Sequence, residues 1–265
     1  MIRRFRPVIP IAAALLISAS RPPARSPGSP AAAPSTRPST RPAATPPAYT
    51  PTSGYTVHQI EGWKSIYVHN DLLTRHSDVG REVLKLLRAK LYDVSRVVPP
   101  AALAELRKVP IWMEYRNPRG GAGCYHPSRR WLVSHGFNPD KARSIEFGNA
   151  RGFLGASRHQ PSVVLHELAH GYQHRVLAGG YGNKELREAH KRAEASKKYD
   201  AVLHVSGRKR RAYAMKNPME YFAELTEAFY GTNDFYPFVR AEVIDHDPEM
   251  YKLLKKLWGE DPRRR

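Results

Sequence analysis

The sequence HELAH at residues 166–170 places two histidines and a glutamate in the HExxH pattern. A proline at 161 and paired glycines after 178 predict a helix over 161–177. Residues four apart lie one turn apart on the same face of a helix, so His166 and His170 can bind one metal ion. Glu167 lies on the flank, where its carboxylate can act as a general base toward a water at the metal. The apolar residues before the motif would bury it, and buried charges need partners, which favours a catalytic zinc site over an accidental match.

A catalytic zinc ion takes three protein ligands and leaves a fourth position for water, so a third ligand must lie elsewhere. The metzincin extension is excluded, because Gln173 and Val176 occupy the positions where it needs glycine and histidine. His174 lies one turn further along the helix. Ligands from one straight helix rise about 6 Å at each step and cannot converge on one ion, so we interpret His174 as supporting the ligands or packing beside them.

A second helix is predicted over residues 218–230, with Asn217 as its N-cap. Glu220 and Glu224 stand four apart on it among bulky apolar residues. In the functional interpretation Glu220 is the third ligand and Glu224 accepts a hydrogen bond from the other nitrogen of a ligand histidine, although the two could exchange roles. In the alternative, Glu220 caps the helix and Glu224 and Glu227 lie on a solvated face. We favour the first, because carboxylates on so apolar a helix need partners.

This combination of motifs resembles that of the gluzincins, zinc peptidases with HExxH on one helix and ExxxD or ExxxE on a later one. The interval between His170 and Glu220, and the segment EYFAE at 220–224, are similar to the catalytic domain of the anthrax lethal factor family and its related secreted peptidases. The resemblance extends less specifically over residues 124–258. The large additional domains of lethal factor are missing here, so its substrate is not implied.

The resemblance implies a role for each matched residue. His166, His170 and Glu220 would bind Zn²⁺, Glu167 would be the general base, and Glu224 would support a ligand. In the family a tyrosine seven residues before the ligand glutamate donates a hydrogen bond to the oxyanion, and Tyr213 has that position. His204 is a second candidate for this donor.

The predicted fold class is α+β, and the resemblance implies a zincin-like domain with a small twisted sheet beside the active-site helices. A hairpin is predicted over residues 55–68, and a strand over 109–115. Residues 117–138 are predicted to be a loop with a candidate strand at 131–134. Residues 144–148 would form the edge strand beside the metal-binding helix, where an extended substrate can add as another strand.

Composition limits the alternatives. The 265 residues are 41% hydrophobic, which excludes wholesale disorder, and Cys124 is the only cysteine. An internal disulfide framework and a multi-cysteine metal site are therefore excluded, so histidines and carboxylates must hold any metal. For Cys124 itself we favour a buried, inert thiol over pairing between chains or blocking of the zinc.

The N-terminal region predicts export. Residues 1–20 combine arginines, an apolar run of about 10 residues and small side chains, which indicates a signal peptide, and the run is too short to span a bilayer as a helix. Residues 21–54 are rich in Pro, Ala, Ser and Arg and indicate a linker. Residues 55–265 would form the peptidase domain, secreted or periplasmic after cleavage, with a peptide or protein substrate.

The basic character supports a second hypothesis. The chain carries 43 Lys and Arg against 24 Asp and Glu, a net charge of +19, and residues 208–211 are four consecutive cations. A non-catalytic zinc protein could use this surface to contact anionic envelope polymers. No nucleic-acid motif accompanies it, so no specific nucleic-acid partner is expected. Glu167 favours the enzyme, because a purely structural zinc site does not require it.

Overall fold

The computed structural model describes residues 49–259, and the predicted signal peptide (1–20) and most of the predicted linker (21–54) lie outside these residues. The chain is α+β, as predicted, with one mixed five-stranded sheet and several helices. The strands are β1 (Tyr55–Ile60), β2 (Trp63–His69), β3 (Ile111–Met113), β4 (Cys124–His126) and β5 (Ser144–Phe147). Their order in the sheet is β1-β2-β3-β5-β4.

The predicted hairpin is confirmed as β1 and β2, which pair antiparallel. Its two-residue turn consists of Glu61 at φ 51° and Gly62 at φ 89°. Two consecutive left-handed residues form the turn that matches the twist of a hairpin. Strands β2, β3 and β5 then run parallel, and β4 pairs antiparallel with β5.

The described residues also form α-helices along the chain. They are α1 (Ser77–Val97), α2 (Pro100–Leu106), α3 (Arg129–Ser134), α4 (Ala150–Ala156), α5 (Val163–Arg175), α6 (Lys184–Ala195), α7 (Pro218–Tyr230), α8 (Arg240–His246) and α9 (Pro248–Trp258). A small hairpin of β6 (Val202–Leu203) and β7 (Lys209–Arg210) lies between α6 and α7. Within residues 49–259 no helix combines the length and the apolar character that crossing a bilayer requires.

Residues just before the predicted boundary at residue 55 contact the folded residues that follow it. A 3-10 turn spans Thr52–Gly54, and the Thr52 hydroxyl donates to Asp140 Oδ2 at 2.7 Å. Asn138 Nδ2 donates to the carbonyl oxygen of Thr50 at 3.2 Å. The last residues of the predicted linker are therefore attached to the folded domain through side chains near residue 140.

Two sequence predictions between residues 117 and 148 were wrong. Residues 131–134 are helical rather than extended, because Ser128 caps α3 by accepting a hydrogen bond from the Trp131 amide. Strand β5 is not the edge of the sheet: it lies between β3 and β4, and all four of its residues are buried. The edge strand on this side of the sheet is β4, which is too short to give a periodic signal in a glycine- and proline-rich segment.

Helices α5 and α7 pack against each other, and α5 also packs against β4 and β5. Eleven consecutive residues of α5, from Val163 to Gln173, are buried, as are ten of α7, from Glu220 to Phe229. Helix α9 also packs against α7, where Trp258 donates its indole N–H to the Thr226 hydroxyl at 3.1 Å. Charged side chains on the α5–α7 interface are thus enclosed in the core.

Candidate metal centre

The α5–α7 interface brings together the three predicted ligands. His166 Nε2 lies 3.1 Å from His170 Nε2, and each lies 3.2 Å from Glu220 Oε2. Asn217 fixes the start of α7, since its Oδ1 accepts from the amides of Met219 and Glu220, both at 2.9 Å. The Glu220 side chain is therefore free of the capping role considered from sequence and points to the histidines.

This triangle has the dimensions of a zinc site. Bonds of 2.0 to 2.1 Å in tetrahedral geometry separate two ligand atoms by about 3.3 Å. The three atoms here are 3.1–3.2 Å apart, and their side chains are only 5–11% exposed. Two imidazole nitrogens and one carboxylate oxygen are donors that zinc accepts. The residues present thus fit Zn²⁺ in number, type and spacing.

The electrostatics of the three groups also suit a cation. Burial would lower the pKa of His166, but hydrogen bonds to Glu220 and Glu227 outweigh it and raise that pKa well above its usual value. Burial would raise the pKa of Glu220, but His170 and His166 hold it well below the usual value. The surroundings therefore retain positive charge between the three side chains, whether a proton or a metal ion supplies it.

The support of His166 differs from the prediction. Glu227 Oε1 lies 2.7 Å from His166 Nδ1 and accepts its hydrogen bond, whereas Glu224 Oε1 lies 3.7 Å away. The role predicted for Glu224 therefore falls to Glu227, two turns after Glu220. A hydrogen bond at Nδ1 fixes the tautomer in which Nε2 has a lone pair for a metal.

Glu167 lies beside the triangle and is not part of it. It is 6% exposed, and burial raises the pKa of its carboxyl group. A Cβ at Gly123 would lie 2.8 Å from Glu167 Oε1, so the segment before β4 can approach the carboxylate only with glycine at this position. The candidate base is thus enclosed between α5 and the edge strand.

Tyr213 lies next to the third ligand. Its hydroxyl donates to Glu220 Oε1 at 3.3 Å and accepts from Lys216 Nζ at 2.9 Å. Burial, followed by the charge of Glu220, raises the pKa of Tyr213. The phenol therefore remains protonated at neutral pH and can act as a hydrogen-bond donor.

The two other candidate histidines lie outside the triangle. His174 Nδ1 is 2.9 Å from the Tyr125 hydroxyl, so of the two interpretations of His174 the geometry favours packing beside the site. His204 Nε2 is 3.4 Å from Asp234 Oδ2, and its ring packs on Phe235. Within residues 49–259 no hydrogen bond, ion pair or ring contact joins His204 to the three ligands, so Tyr213 is the better placed donor.

Sequence analysis did not identify Tyr181, which also lies at this site. Its ring centroid is 6.5 Å from that of His170 and 5.1 Å from that of His174. Burial, followed by the groups of Tyr125, Glu167, Cys124 and Glu220, raises its pKa well above the usual value. The one sequence feature that could have identified it is the glycine-rich segment around it, which is typical of a tight turn that folds the chain back onto the preceding helix.

The thiol of Cys124, on β4, is half-buried rather than fully buried. Burial, followed by the charge of Glu167, raises its pKa well above the usual value. Its sulfur lies 3.9 Å from His126 Nδ1. The thiol is therefore a neutral group near the candidate base.

The predicted basic patch at 208–211 is partly neutralised. Arg211 pairs with Asp200 at 2.6 Å and with Glu194 at 2.8 Å. The guanidinium of Arg210 stacks 4.8 Å from the ring centroid of Phe235. Two of the four cations are thus engaged within the domain, which reduces the surface available to a polyanion.

Comparison with known protein families, with curated proteins and with solved structures gives no match for this chain. Its function must therefore be inferred from the geometry of the site and from its motifs.

Proposed function

We propose that this chain is a zinc-dependent peptidase whose catalytic centre lies between α5 and the first turn of α7. The observation that supports this most directly is the buried triangle of His166 Nε2, His170 Nε2 and Glu220 Oε2, with sides of 3.1–3.2 Å. The zincin-like architecture and the relation to gluzincins suggested by the motifs are part of the proposal.

A catalytic site is favoured over a structural one for two reasons. Three protein ligands leave one coordination position open, whereas structural zinc sites are closed by four. Glu167 is buried beside the ligands, and burial raises its pKa, as a general base that must exchange a proton near neutral pH requires. A structural site has no use for such a carboxylate.

In this mechanism each side chain has a distinct task. When bound, Zn²⁺ supplies Lewis acidity that lowers the pKa of water and polarises the substrate carbonyl. Glu167 removes the proton from the attacking water and transfers it to the leaving amine. Tyr213 donates its hydroxyl proton in a hydrogen bond to the developing oxyanion, an interaction worth about 2.7–4 kcal/mol where such donors have been removed. Glu227 keeps His166 in the ligating tautomer.

The substrate class follows from the edge of the sheet. Strand β4 has a neighbour, β5, on one side within the described sheet, and it packs against α5. An extended peptide can pair with the free side of such a strand and pass over the ligands. We therefore propose a peptide or protein substrate, met outside the cytoplasm if the signal peptide predicted at residues 1–20 is used.

Three purified proteins test the proposal through zinc content and cleavage of a mixed-sequence peptide library. The wild type should contain one zinc per chain and should lose cleavage in the presence of a chelator. Glu167→Gln should keep the zinc and lose about 10²- to 10⁴-fold in turnover, because only the base is removed. Glu220→Ala should lose both.

Glu188→Gln, on the exposed surface of α6, is the matched control and should behave as wild type. Full zinc occupancy in Glu220→Ala would remove Glu220 from the site. Cleavage that resists the chelator would exclude a metallopeptidase.

A further inference from the structure

Tyr181 returns to the metal centre through a tight loop after α5. Gly179 and Gly180 have φ values of 76° and 52°, in the left-handed region where side chains are disfavoured. A Cβ at Gly180 would lie 3.0 Å from the carbonyl oxygen of His174, so the loop folds closely onto the end of the helix. The 3-10 turn Gly180–Gly182 then places Tyr181 beside the ligand-bearing face.

The ring of Tyr181 is held in place by its neighbours. It lies edge-on to His170, at 85°, and is tilted by 45° against His174. His174 is in turn bonded to the Tyr125 hydroxyl at 2.9 Å. The position of the phenol is thus set by α5 and by strand β4, which carries Tyr125.

The hydroxyl group of Tyr181 differs from those of the surrounding tyrosines. The hydroxyl of Tyr125 bonds to His174, and that of Tyr213 bonds to Glu220 and Lys216. Tyr172, on α5, donates to the carbonyl oxygen of Leu257. Among the hydrogen bonds of residues 49–259, none involves the Tyr181 hydroxyl. It is a half-buried donor that no neighbour uses.

The ring contacts of Tyr181 indicate which side of the site it occupies. Its centroid is 6.5 Å from that of His170 and 5.1 Å from that of His174, and His174 bonds to Tyr125 of the edge strand β4. A peptide paired with β4 through one of its edges has carbonyl groups on the opposite edge that need donors. The hydroxyl group of Tyr181 is a hydrogen-bond donor on this side of the site.

We propose that Tyr181 is a substrate-binding residue that donates a hydrogen bond to a backbone carbonyl of the bound peptide. This inference rests on the proposed function in one respect, that the ligand of the site is a peptide. The bond forms on binding and persists in the transition state, because the carbonyl concerned is not the one attacked. Such uniform binding affects KM and leaves kcat unchanged.

The test uses the zinc-loaded full chain carrying Glu167→Gln, so that bound peptides are not cleaved. A library of blocked octapeptides is passed over it, and the tightest binder, identified by mass spectrometry, becomes the probe for fluorescence anisotropy. Adding Tyr181→Phe should weaken binding about three- to tenfold, the range for one hydrogen bond. In the cleavage-competent chain the same change should raise KM by the same factor and alter kcat less than about twofold.

Tyr92→Phe, on the half-exposed surface of α1, controls for the loss of a phenol far from the site. Zinc content and the melting temperature should be unchanged in Tyr181→Phe, because the ring remains. Unaltered affinity, a fall in kcat with KM constant, or a protein that binds none of the octapeptides would overturn the inference. If peptides bind in a Tyr181-dependent way and the wild type cleaves none of them, the peptidase proposal fails and the binding role of Tyr181 stands.

Discussion

Two buried clusters of ionisable side chains lie in this domain, and they differ in composition and in how fully their polar atoms are paired. The sheet cluster comprises Tyr55, Glu114, His126, Lys141 and Glu146. Lys141, 2% exposed, pairs with Glu114 and with Glu146, the latter at 2.7 Å, and His126 Nε2 lies 2.6 Å from Glu146. Tyr55 donates to Glu114. Among the described residues, no buried nitrogen or oxygen of these side chains lacks a partner.

The metal cluster comprises His166, His170, Glu220, Glu224 and Glu227. Three carboxylates here face two histidines, without a lysine or arginine among them. His170 Nδ1, Glu224 Oε2 and Glu227 Oε2 are buried and have no hydrogen-bond partner. Burial raises the pKa of both carboxyl groups, that of Glu224 well above its usual value, and a buried polar atom without a hydrogen bond is costly. The sheet cluster is complete as a structural network, whereas the metal cluster leaves three buried polar atoms without a partner, and we propose that it holds a cation.

The largest expected difference between the clusters is their response to zinc. Zinc at a thousandfold excess over its dissociation constant stabilises the folded state by about 4 kcal/mol. Urea unfolding of the zinc-loaded and the chelated protein should show a difference of this size. Glu220→Ala should remove it, because the cation then loses one of its three ligands. Equal stability of the two wild-type forms would mean that the metal cluster is complete without an ion.

The sheet cluster should instead respond to acid. Burial would raise the pKa of Glu146, but His126 and Lys141 outweigh it and lower the pKa from 4.5 to about 2. Glu146 therefore contributes stability that is fully present above pH 4.5 and is lost as the pH falls toward 2, about 3 kcal/mol in total. Urea midpoints measured from pH 6 to pH 2 should fall more steeply for the wild type than for Glu146→Gln.

Glu82→Gln, exposed on α1, is the control for the removal of a carboxylate and should follow the wild type. Parallel pH profiles for wild type and Glu146→Gln would show that the sheet cluster does not depend on this charge.

Local chemistry made part of this structure predictable. The cap at Asn217, the two-residue turn at Glu61 and Gly62, and the HExxH spacing each depend on residues close together in sequence, and each has the predicted local structure. The two ligand-bearing helices have ligands at least 50 residues apart, so their pairing depended on the need of buried carboxylates for partners and on the motif resemblance.

What depended on tertiary geometry could not be predicted. Strand β4 has three residues, and its place at the edge is set by pairing with β5. The choice between Glu224 and Glu227 depends on how α7 is rotated against α5. At about 100° per residue, the side chain of Glu227 leaves α7 about 20° from the direction of Glu220, and that of Glu224 about 40° away on the other side. A glutamate seven residues after Glu220 is therefore closer to its direction than one four residues after it.

After the responses to zinc and to acid, the next largest effect is expected on zinc affinity when the carboxylate of Glu227 is removed. Its hydrogen bond at 2.7 Å holds His166 in the ligating tautomer. Loss of such a partner typically costs 10- to 100-fold in metal affinity. The zinc dissociation constant of Glu227→Gln, measured by competition with a chromogenic chelator, should rise by about this factor. An unchanged constant would show that His166 is oriented by packing alone.

The smallest effect is expected for Glu224→Gln, the matched variant one turn earlier on the same helix. At 3.7 Å, Glu224 Oε1 is beyond hydrogen-bond distance from His166 Nδ1, so its loss should change zinc affinity less than about threefold. The same chelator competition decides between the two carboxylates. If Glu224→Gln weakens zinc binding as much as Glu227→Gln does, both carboxylates orient His166. The role that the sequence spacing of four predicted for Glu224 would then be correct. If Glu224→Gln instead has no effect, Glu224 is a buried carboxyl group of the metal cluster that positions no ligand, and burial, followed by the charges of Asp234 and Glu227, raises its pKa well above the usual value.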